Sequence, residues 1–487
     1  MIEFLSTLVV FVFVIGVLVF VHELGHFLAA RLVGIRVEEF AIGMGPKVCG
    51  FSRNDTEYNI RLLPIGGFVK MFGEGDYDNL ASDSYGGKSP LQRLFVLVAG
   101  VMMNVLLAII LLYVQGFNLG FEYRVPDGYF KNEYRPWFGE KSESLLVVQE
   151  VKPSSPLSGK IDKLDILTKI NGEDYSLSNW SEKAIKYSGQ QINLTFVGYA
   201  SDDIKNVVIQ FPELSSNLLG QNGGPLIVIS GFTEDSVLEG KVQPGAIIKY
   251  INGKSYEPDN FVQTISSFRG QNIKLTVLDS SGNNEREIEI YVRDQERPLG
   301  IILTTTLSPS FLFGITTSPI SLIEFKGLSV WFAGFAQALN NIQYFGFAIS
   351  ELLQISVNVG SALPLADNVS GAVGLFGILD RVLKEVGFWG IIELMILFSI
   401  NLAVINMLPI PALDGGHVLF TLVELITRKR LNTKWYNYLT LAGFALLLFL
   451  MIVITYLDII RFTSLRKIFC NESREVPFVC DLSYAGD

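Results

Sequence analysis

Two histidines and a glutamate near the start of the chain have the spacing of a hydrolytic metal site. They lie in the stretch His22-Glu23-Leu24-Gly25-His26. On a helix, His22 and His26 are one turn apart on one face, so both rings can reach one metal ion. Glu23 lies beside them and can take a proton from a water molecule that the metal activates. The pattern therefore predicts a zinc-dependent hydrolytic centre.

A second polar cluster lies far along the chain, in the stretch NMLPIPALDGGH that ends at His417. The chain has only 3 histidines, and His417 is the one outside the first motif. Two imidazoles leave a tetrahedral zinc one protein ligand short, since a catalytic site keeps its fourth position for water. We expect Asp414 to be the third ligand. We expect His417 to support a ligand or to belong to the loop.

Plainer explanations of these residues stay open. An H-E-x-x-H pentad arises by chance in many proteins. The motif and Asp414 could also form a buried polar network that only joins helices. We favour the metal, because ionisable residues in or beside a membrane span are costly and two of these residues have metal-ligand spacing.

The first motif ends an uncharged apolar block, which places the predicted site at membrane depth. The chain has 487 residues, of which 49% are hydrophobic, and that excess is concentrated in a few blocks. Each block is close to the ~20 residues that a helix needs to cross the bilayer core. The first block could be a signal peptide, but it lacks a basic start and a small-residue cleavage site, so we expect a retained span. The blocks without Asp, Glu, Lys or Arg are Phe4–Val21, Leu94–Phe121, Leu394–Leu413 and Tyr436–Leu457.

Lysine and arginine gather in two segments, and this sets the expected orientation of the spans. One segment follows the first block, and the other lies between the third and fourth blocks. Cytoplasmic loops are enriched in Lys and Arg, so both segments should be cytoplasmic and both termini outside. The first and third spans then run the same way, which brings His22 and Asp414 to one depth near the cytoplasmic side. A basic C-terminal tail conflicts mildly with this orientation: Arg461, Arg466, Lys467 and Arg474.

Charge and cysteine content exclude some classes of protein. The net charge is −10, and no basic stripe suggests nucleic acid. The 3 cysteines cannot form a disulfide framework. Cys470 and Cys480 could pair in an oxidising compartment, or both could be free thiols.

The two motifs together resemble the site-2 protease family of intramembrane zinc metalloproteases, and in particular its bacterial regulator-of-sigma-E branch. The second motif has the family form N-x-x-P-x-P-x-L-D-G at every fixed position. The resemblance implies zinc binding by His22, His26 and Asp414. It also implies that Glu23 is the catalytic base and that Asn406 helps to hold the substrate strand.

Two further stretches are similar to parts of that family. Arg61–Glu74 (RLLPIGGFVKMFGE) resembles its membrane-associated β element, in which Gly66, Gly67 and Phe68 would pair with an unwound substrate. The stretch GVMMN, which ends at Asn104, matches the family's G-P-x-x-N except that valine replaces proline. Asn104 is therefore a candidate substrate-binding residue, although it could equally be a polar residue that joins two helices.

Two segments between the second and third spans look alike. Val147–Tyr175 and Gly231–Tyr256 each contain a short predicted strand that ends in I-N-G and resembles part of a PDZ domain. Each departs from the usual Gly-Asp pair, the first with Leu164-Asp165 and the second with Gly245-Ala246. The resemblance implies a tandem PDZ pair that filters substrates by size, or that binds peptide ends.

The stretch Trp331–Ser356 has apolar residues at roughly helical spacing with polar residues between them. We expect an amphipathic helix at the outer membrane surface, and a fifth span is the alternative.

The predicted fold is a polytopic α-helical membrane protein with four transmembrane helices, a membrane-associated β element and two extracytoplasmic PDZ-like β/α domains. The predicted segments are 1–31 (first span), 32–92 (cytoplasmic loop with the β element), 93–121 (second span), 122–213 and 214–307 (PDZ-like domains), 308–386 (amphipathic helical region), 387–417 (third span), 418–434 (cytoplasmic loop), 435–460 (fourth span) and 461–487 (outer tail).

The predicted function is zinc-dependent cleavage of transmembrane segments in the bacterial cytoplasmic membrane. By the family resemblance, the partners are single-span membrane proteins such as anti-sigma factors or remnant signal peptides, within the lipid bilayer and without nucleic acid. A metal transporter and a PDZ-bearing scaffold with a structural zinc are the rival functions. Only hydrolysis requires Glu23.

Overall fold

The computed structural model describes residues 2–462 apart from 76–79, 127–135, 142–143, 177–178, 199–202, 221–223, 234–235, 295–297, 360–370 and 430–432. Cys470 and Cys480 lie outside the described residues. The chain divides into two compact units. The first comprises Met1–Tyr123, Glu133–Glu140 and Ile323–Asp487, and the second comprises Arg124–Asn132 and Lys141–Leu322.

Long helices dominate the first unit, and short strands dominate the second. The α-helices of the described residues are α1 Ile2–Leu32, α2 Pro90–Leu119, α3 Trp180–Lys186, α4 Phe261–Ser266, α5 Pro309–Phe313, α6 Ala333–Val359, α7 Ala372–Glu385, α8 Phe388–Met407, α9 Asp414–Thr427 and α10 Thr433–Phe462. The strands are β1 Val37–Arg53, β2 Thr56–Met71, β3 Glu122–Pro126, β4 Glu140–Lys141, β5 Leu145–Val151, β6 Ile166–Ile170, β7 Glu173–Asp174, β8 Gln191–Val197, β9 Ile204–Gln210, β10 Ile227–Phe232, β11 Ile247–Ile251, β12 Asn272–Leu278, β13 Arg286–Tyr291, β14 Ile301–Thr305 and β15 Ile315–Glu324.

Among the described residues, 4 helices are long and apolar enough to cross a membrane. This confirms the predicted number of spans. Helix α6 covers most of the stretch for which a surface helix and a fifth span were both considered, and it is not one of the four. The spanning segments are Phe4–Leu32, Pro90–Leu119, Phe388–Met407 and Tyr438–Ile459.

The placement of Asp414 within the third span needs correction, because the helix of that span ends at Met407. Pro409 and Pro411 follow, and a proline lacks the amide hydrogen that continues a helix and clashes with the preceding turn. The chain begins a separate helix, α9, at Asp414. Most of the predicted loop 418–434 is therefore helical, and Asp414 stands at the start of its own helix.

Strands β1 and β2 form a long hairpin that folds over on itself. Val37–Ile42 lies between two parts of β2, Glu57–Ile60 on one side and Gly67–Met71 on the other. The hairpin packs on the end of α1 and the start of α2 through a buried apolar cluster. Within the described part of the chain, no further strand pairs with the outer side of Gly67–Met71. Within the described residues, the outer side of this segment is therefore an unpaired strand edge.

The second unit contains two antiparallel sheets. One runs in the order β15-β5-β6-β8-β9, and the other in the order β13-β12-β11-β10-β14. Each sheet has its own apolar core, and each core includes residues of a short helix, α3 or α4. The two look-alike segments lie at equivalent places, at β5–β6 and β10–β11.

The first of these sheets is completed by a strand from much later in the chain. Strand β15 pairs antiparallel with β5, with Ile315 opposite Val151. The strands of the second sheet, β10–β14, therefore lie in sequence between two neighbouring strands of the first. The region 308–386 was expected to be helical. It is not wholly so, because strand β15 follows the short helix α5 at its start.

Helix α7 is held by polar contacts from the first and last spans. Asp458 in α10 is completely buried. Its Oδ2 accepts hydrogen bonds from the backbone N–H groups of Gly371 at 2.9 Å and Gly374 at 2.8 Å. These are first-turn donors that no residue within the helix can satisfy. Further along α7, Asp380 accepts a hydrogen bond of 2.7 Å from Thr7 in α1.

The Asp458 contact predicts a measurable loss of stability on its removal. Replacing Asp458 with alanine should lower the free energy of unfolding by about 2–4 kcal/mol, because two charge-assisted hydrogen bonds are lost and two buried N–H groups lose an acceptor. Unfolding in detergent, followed by tryptophan fluorescence, measures this. Lys384→Ala on the same helix is the control, since it removes an exposed ion pair. An equal effect of both variants would contradict the capping role.

Candidate metal centre

His22, His26 and Asp414 meet in one cluster. The Nε2 atoms of the two histidines lie 3.2 Å apart. Asp414 Oδ2 lies 3.1 Å from His22 Nε2 and 3.4 Å from His26 Nε2. Each histidine is only 7% exposed. The three residues predicted as ligands thus each direct one ligand atom to a common point.

Helix α2 engages the other ring nitrogen of each histidine. His26 Nδ1 lies 2.9 Å from the carbonyl oxygen of Val96, so this nitrogen carries the proton and donates it. His22 Nδ1 lies 3.2 Å from the side-chain amide of Asn104. Asn104 is completely buried, and its Oδ1 has no hydrogen-bond partner among the described residues.

The amide of Asn104 is best satisfied with its oxygen toward His22. An amide turned by half a rotation exchanges its oxygen and nitrogen at nearly the same positions. In that orientation, Oδ1 accepts the proton of His22 Nδ1, and the buried oxygen gains its missing partner. Both rings then carry their proton on Nδ1, and both Nε2 lone pairs face Asp414. This is the tautomer that binds metal through Nε2.

The cluster fits a zinc ion. Within the described part of the chain, Asp414 Oδ2 is buried and has no hydrogen-bond donor, because the two nearest nitrogens present lone pairs. A cation at the centre replaces this repulsion by attraction. Ligands ~2.0–2.1 Å from a tetrahedral zinc lie about 3.3 Å apart, close to the observed 3.1, 3.2 and 3.4 Å. Two imidazoles and one carboxylate leave a fourth position open.

Gly100 makes room for both imidazole rings. A Cβ at this position would lie 2.4 Å from His26 Nε2 and 2.9 Å from His22 Cε1, far inside van der Waals contact. Gly25 on α1 makes room for the backbone of α2, since a Cβ there would lie 2.4 Å from the carbonyl oxygen of Ala99. These two glycines let α1 and α2 approach closely at the level of the cluster.

Glu23 lies between the cluster and the exposed strand edge. Its carboxylate lies near the backbone N–H of Val69. A Cβ on Gly67 would lie 3.3 Å from Glu23 Cγ, so the strand passes directly beside the side chain. Gly66 precedes this edge with a φ of 81°, and Phe68 pairs with Ala41 inside the hairpin. The structure therefore brings the predicted base and the predicted strand together.

Asn406 borders the metal-facing side of the cluster. It lies in the last turn of α8, and its Nδ2 is 3.4 Å from His22 Nε2. Ser399 lies about two turns earlier in the same helix and is completely buried. Its hydroxyl donates a hydrogen bond of 2.8 Å to the backbone carbonyl of Asn104. Helix α8 is thus joined to α2 close to the site.

The loop that delivers Asp414 is tightly packed. A Cβ on Gly415 would lie 2.3 Å from the carbonyl oxygens of Met407 and Leu408, and one on Gly416 would lie 2.4 Å from that of Ile410. Ala412 has a φ of 79°, a left-handed conformation that costs a residue with a side chain on the order of 1 kcal/mol.

His417 does not belong to the ligand cluster. Its Nδ1 is hydrogen-bonded to the hydroxyl of Tyr436, near the start of α10. His417 lies in helix α9 and not in a loop, and its support of a ligand stays a prediction. Sequence analysis gave no role to Val96, Gly100 or Ser399. A backbone carbonyl leaves no signal in a sequence, and only the likeness of the GVMMN stretch could have pointed to Gly100.

Comparison with known proteins agrees with this geometry. Residues 10–450 match the profile of Peptidase family M50. The chain belongs to peptidase family M50. It is 26% identical to the regulator of sigma-W protease RasP of Bacillus subtilis, over 94% of this chain and 99% of that protein. It is 28% identical to a putative zinc metalloprotease of Campylobacter jejuni, over 94% of both chains.

A third relative, a putative zinc metalloprotease of Clostridium perfringens, is 29% identical over 91% of this chain and 95% of its own length. The resemblance to site-2 proteases is therefore confirmed. This M50 peptidase is a membrane protein and a zinc metalloprotease, as the sequence predicts.

The space at Gly100 gives the M50 peptidase a sensitive position outside its predicted ligands. Gly100→Ala should lower zinc affinity about tenfold or more, because the new methyl group displaces the His26 and His22 rings. Zinc per purified chain and competition with a chelator measure this. Gly16→Ala in α1 is the matched control, since a Cβ there meets nothing within 4 Å. Equal zinc affinity in both variants would show that the rings do not need this space.

Proposed function

We propose that this M50 peptidase hydrolyses peptide bonds inside the transmembrane segments of single-span membrane proteins. The observation that carries the proposal is the convergence of three lone-pair atoms, from His22, His26 and Asp414, beside a carboxylate that touches an open strand edge. A structural zinc or a transported metal would not need Glu23 at that edge. Hydrolysis needs both a metal centre and a base next to an extended substrate.

The proposed roles follow from position. His22, His26 and Asp414 hold zinc, which when bound supplies Lewis-acid polarisation of the scissile carbonyl and of the attacking water. Glu23 takes the proton of that water and passes it to the leaving amine. The Glu23 carboxylate lies between the strand edge and the cluster, near the backbone N–H of Val69.

Local unwinding of the substrate is the second element of the proposal. A transmembrane helix hides its carbonyl groups in its own hydrogen bonds, and these bonds must open before a peptide bond can react. The edge Gly67–Met71 offers backbone partners to the unwound stretch, as in other cases of strand addition. Asn406 and Asn104 flank His22, and we assign Asn406 to holding the substrate and Asn104 primarily to orienting the ring.

The two sheets of the second unit support a role in substrate selection. Each combines strands with one short helix around its own core, which is consistent with PDZ-like domains. We propose that this pair lies outside the cytoplasmic membrane of a bacterium and admits only substrates with a small outer domain. The relative from B. subtilis is named for regulation of a sigma factor, which favours anti-sigma factors as substrates, with remnant signal peptides as a further class.

Glu23→Gln tests the proposed base. The variant should retain one zinc per chain, because glutamine leaves the three ligand atoms untouched, and should lose cleavage by at least about a hundredfold. Both proteins are purified in detergent and incubated with a tagged single-span peptide that lacks a bulky outer domain. Chelator treatment of the wild type is the control. Wild-type protein that holds zinc but cuts none of several such peptides would favour a structural or transported metal.

The filter predicts a dependence on the size of the substrate's outer domain. In proteoliposomes, the wild type should cut a trimmed single-span substrate at least about tenfold faster than the same substrate carrying a folded outer domain, because only the trimmed form passes the PDZ-like pair. Gel analysis of both substrates over time measures the ratio. The control is the isolated transmembrane peptide in detergent. It carries no outer domain for the PDZ-like pair to exclude, so it should be cut whichever of the two substrates it represents. Equal rates for both full substrates in the membrane would contradict the filter.

A further inference from the structure

A buried ion pair joins the helix that carries Asp414 to the helix that orients both histidines. Arg93 in the first turn of α2 is 1% exposed, and Glu424 in α9 is 7% exposed. Their Nη2 and Oε1 atoms lie 2.8 Å apart. The Arg93 guanidinium also faces the ring of buried Tyr85, with its Cζ atom 6.0 Å from the centre of the ring. Neither charge stands out from its neighbours along the chain.

Arg93 belongs to the same stripe of α2 as the groups that contact the histidines. Val96, Gly100 and Asn104 follow it at intervals of three, four and four residues, which places all four positions on one face of a helix. Val96 holds His26, Gly100 makes room for both rings, and Asn104 holds His22. This stripe therefore fixes the two imidazoles, and Arg93 extends it toward α9.

Helix α9 is held at its first residue and again further along its length. Asp414 follows a loop of six residues after the end of α8, and Gly415 and Gly416 pack closely on the backbone of that loop. Glu424 lies ten residues beyond Asp414, about 15 Å along the helix axis. An ion pair at that distance fixes how α9 is placed along α2, and with it where the Asp414 carboxylate meets the imidazoles.

We propose that Arg93 and Glu424 are positioning residues for the metal centre: their ion pair sets the approach of Asp414 to His22 and His26. The inference rests on the proposed role of these three residues as zinc ligands. A buried charge without its partner is strongly disfavoured, so α9 shifts or takes in water when either member is lost. The ligand atoms then no longer converge.

Two single substitutions with opposite effects on charge test this pair. Glu424→Gln leaves one more positive charge near the site, and Arg93→Met leaves one more negative charge. If charge alone mattered, the first would weaken zinc binding and the second would strengthen it. Positioning predicts that both raise the zinc Kd about tenfold or more, as loss of groups that orient ligands does. Competition with a chromophoric chelator in detergent gives the Kd.

Cobalt-substituted protein provides a readout of ligand geometry. Both variants should alter the visible absorption of bound Co²⁺, because the ligand field depends on how Asp414 meets the rings. Asp458→Asn is the control for lost stability, since it removes a buried charge that caps α7 rather than α9. It should lower the thermal midpoint without changing the zinc Kd or the cobalt spectrum.

The outcomes separate this inference from the proposed function. A wild type that binds no zinc would overturn the metal site and the inference with it. Zinc binding in the wild type, with wild-type Kd and cobalt spectrum in both variants, would overturn the inference alone and leave the pair a purely structural link. If either variant fails to fold, Arg93→Lys decides, since it keeps the charge but loses the planar fork of the guanidinium. It should raise the Kd severalfold, and an unchanged Kd would contradict the proposal.

Discussion

The metal centre depends on two helices that approach more closely than side chains would allow. Gly25 on α1 faces the backbone of Ala99, and Gly100 on α2 faces the rings of His22 and His26. In a membrane, helices gain little from hydrophobic association with one another, so close backbone contact through small residues is a main source of affinity. The same contact that joins these helices therefore brings the Val96 carbonyl and the Asn104 amide to the histidines.

Asp458 and Asp414 differ in whether hydrogen-bond donors of the protein surround their carboxylates. Asp458 accepts two backbone N–H groups at the start of α7, so its charge is compensated by the fold itself. Asp414 Oδ2 instead faces two imidazole lone pairs and has no hydrogen-bond donor in the described part of the chain. The fold does not compensate this charge. A cation does, and the arrangement therefore indicates a metal ligand more directly than the presence of an acidic residue.

Sequence predicts the parts of the site that are set by local spacing. His22 and His26 are one turn apart on any helix, so their convergence needs no tertiary information. Asp414 also lies beside the two histidines. Its helix was predicted wrongly, because periodicity does not show that a loop of six residues, with Pro409 and Pro411, separates α8 from α9. The apolar run continues through the break, and apolar composition alone gives no helix end.

Long-range pairings were beyond the sequence for a different reason. Strand β15 joins β5 across an intervening sheet, and Arg93 meets Glu424 across more than three hundred residues. Neither contact leaves a periodic signal, since each residue has ordinary neighbours along the chain. The likeness of the two I-N-G segments identified a repeat. It did not show that, along the sequence, the strands of the second sheet fall between two paired strands of the first. Only tertiary structure reveals which element completes a sheet or a charge pair.

The position of Glu23 connects the chemistry to the state of the substrate. Its carboxylate lies near the backbone N–H of Val69, a group on the edge Gly67–Met71. On the proposed mechanism, a substrate strand that adds to this edge therefore reaches the base and the metal ligands in the same step. A helical substrate cannot, because its N–H and carbonyl groups are already paired within itself. Proximity of base and edge thus makes unwinding a condition of reaction, and it protects intact transmembrane helices that merely pass beside His22 and His26.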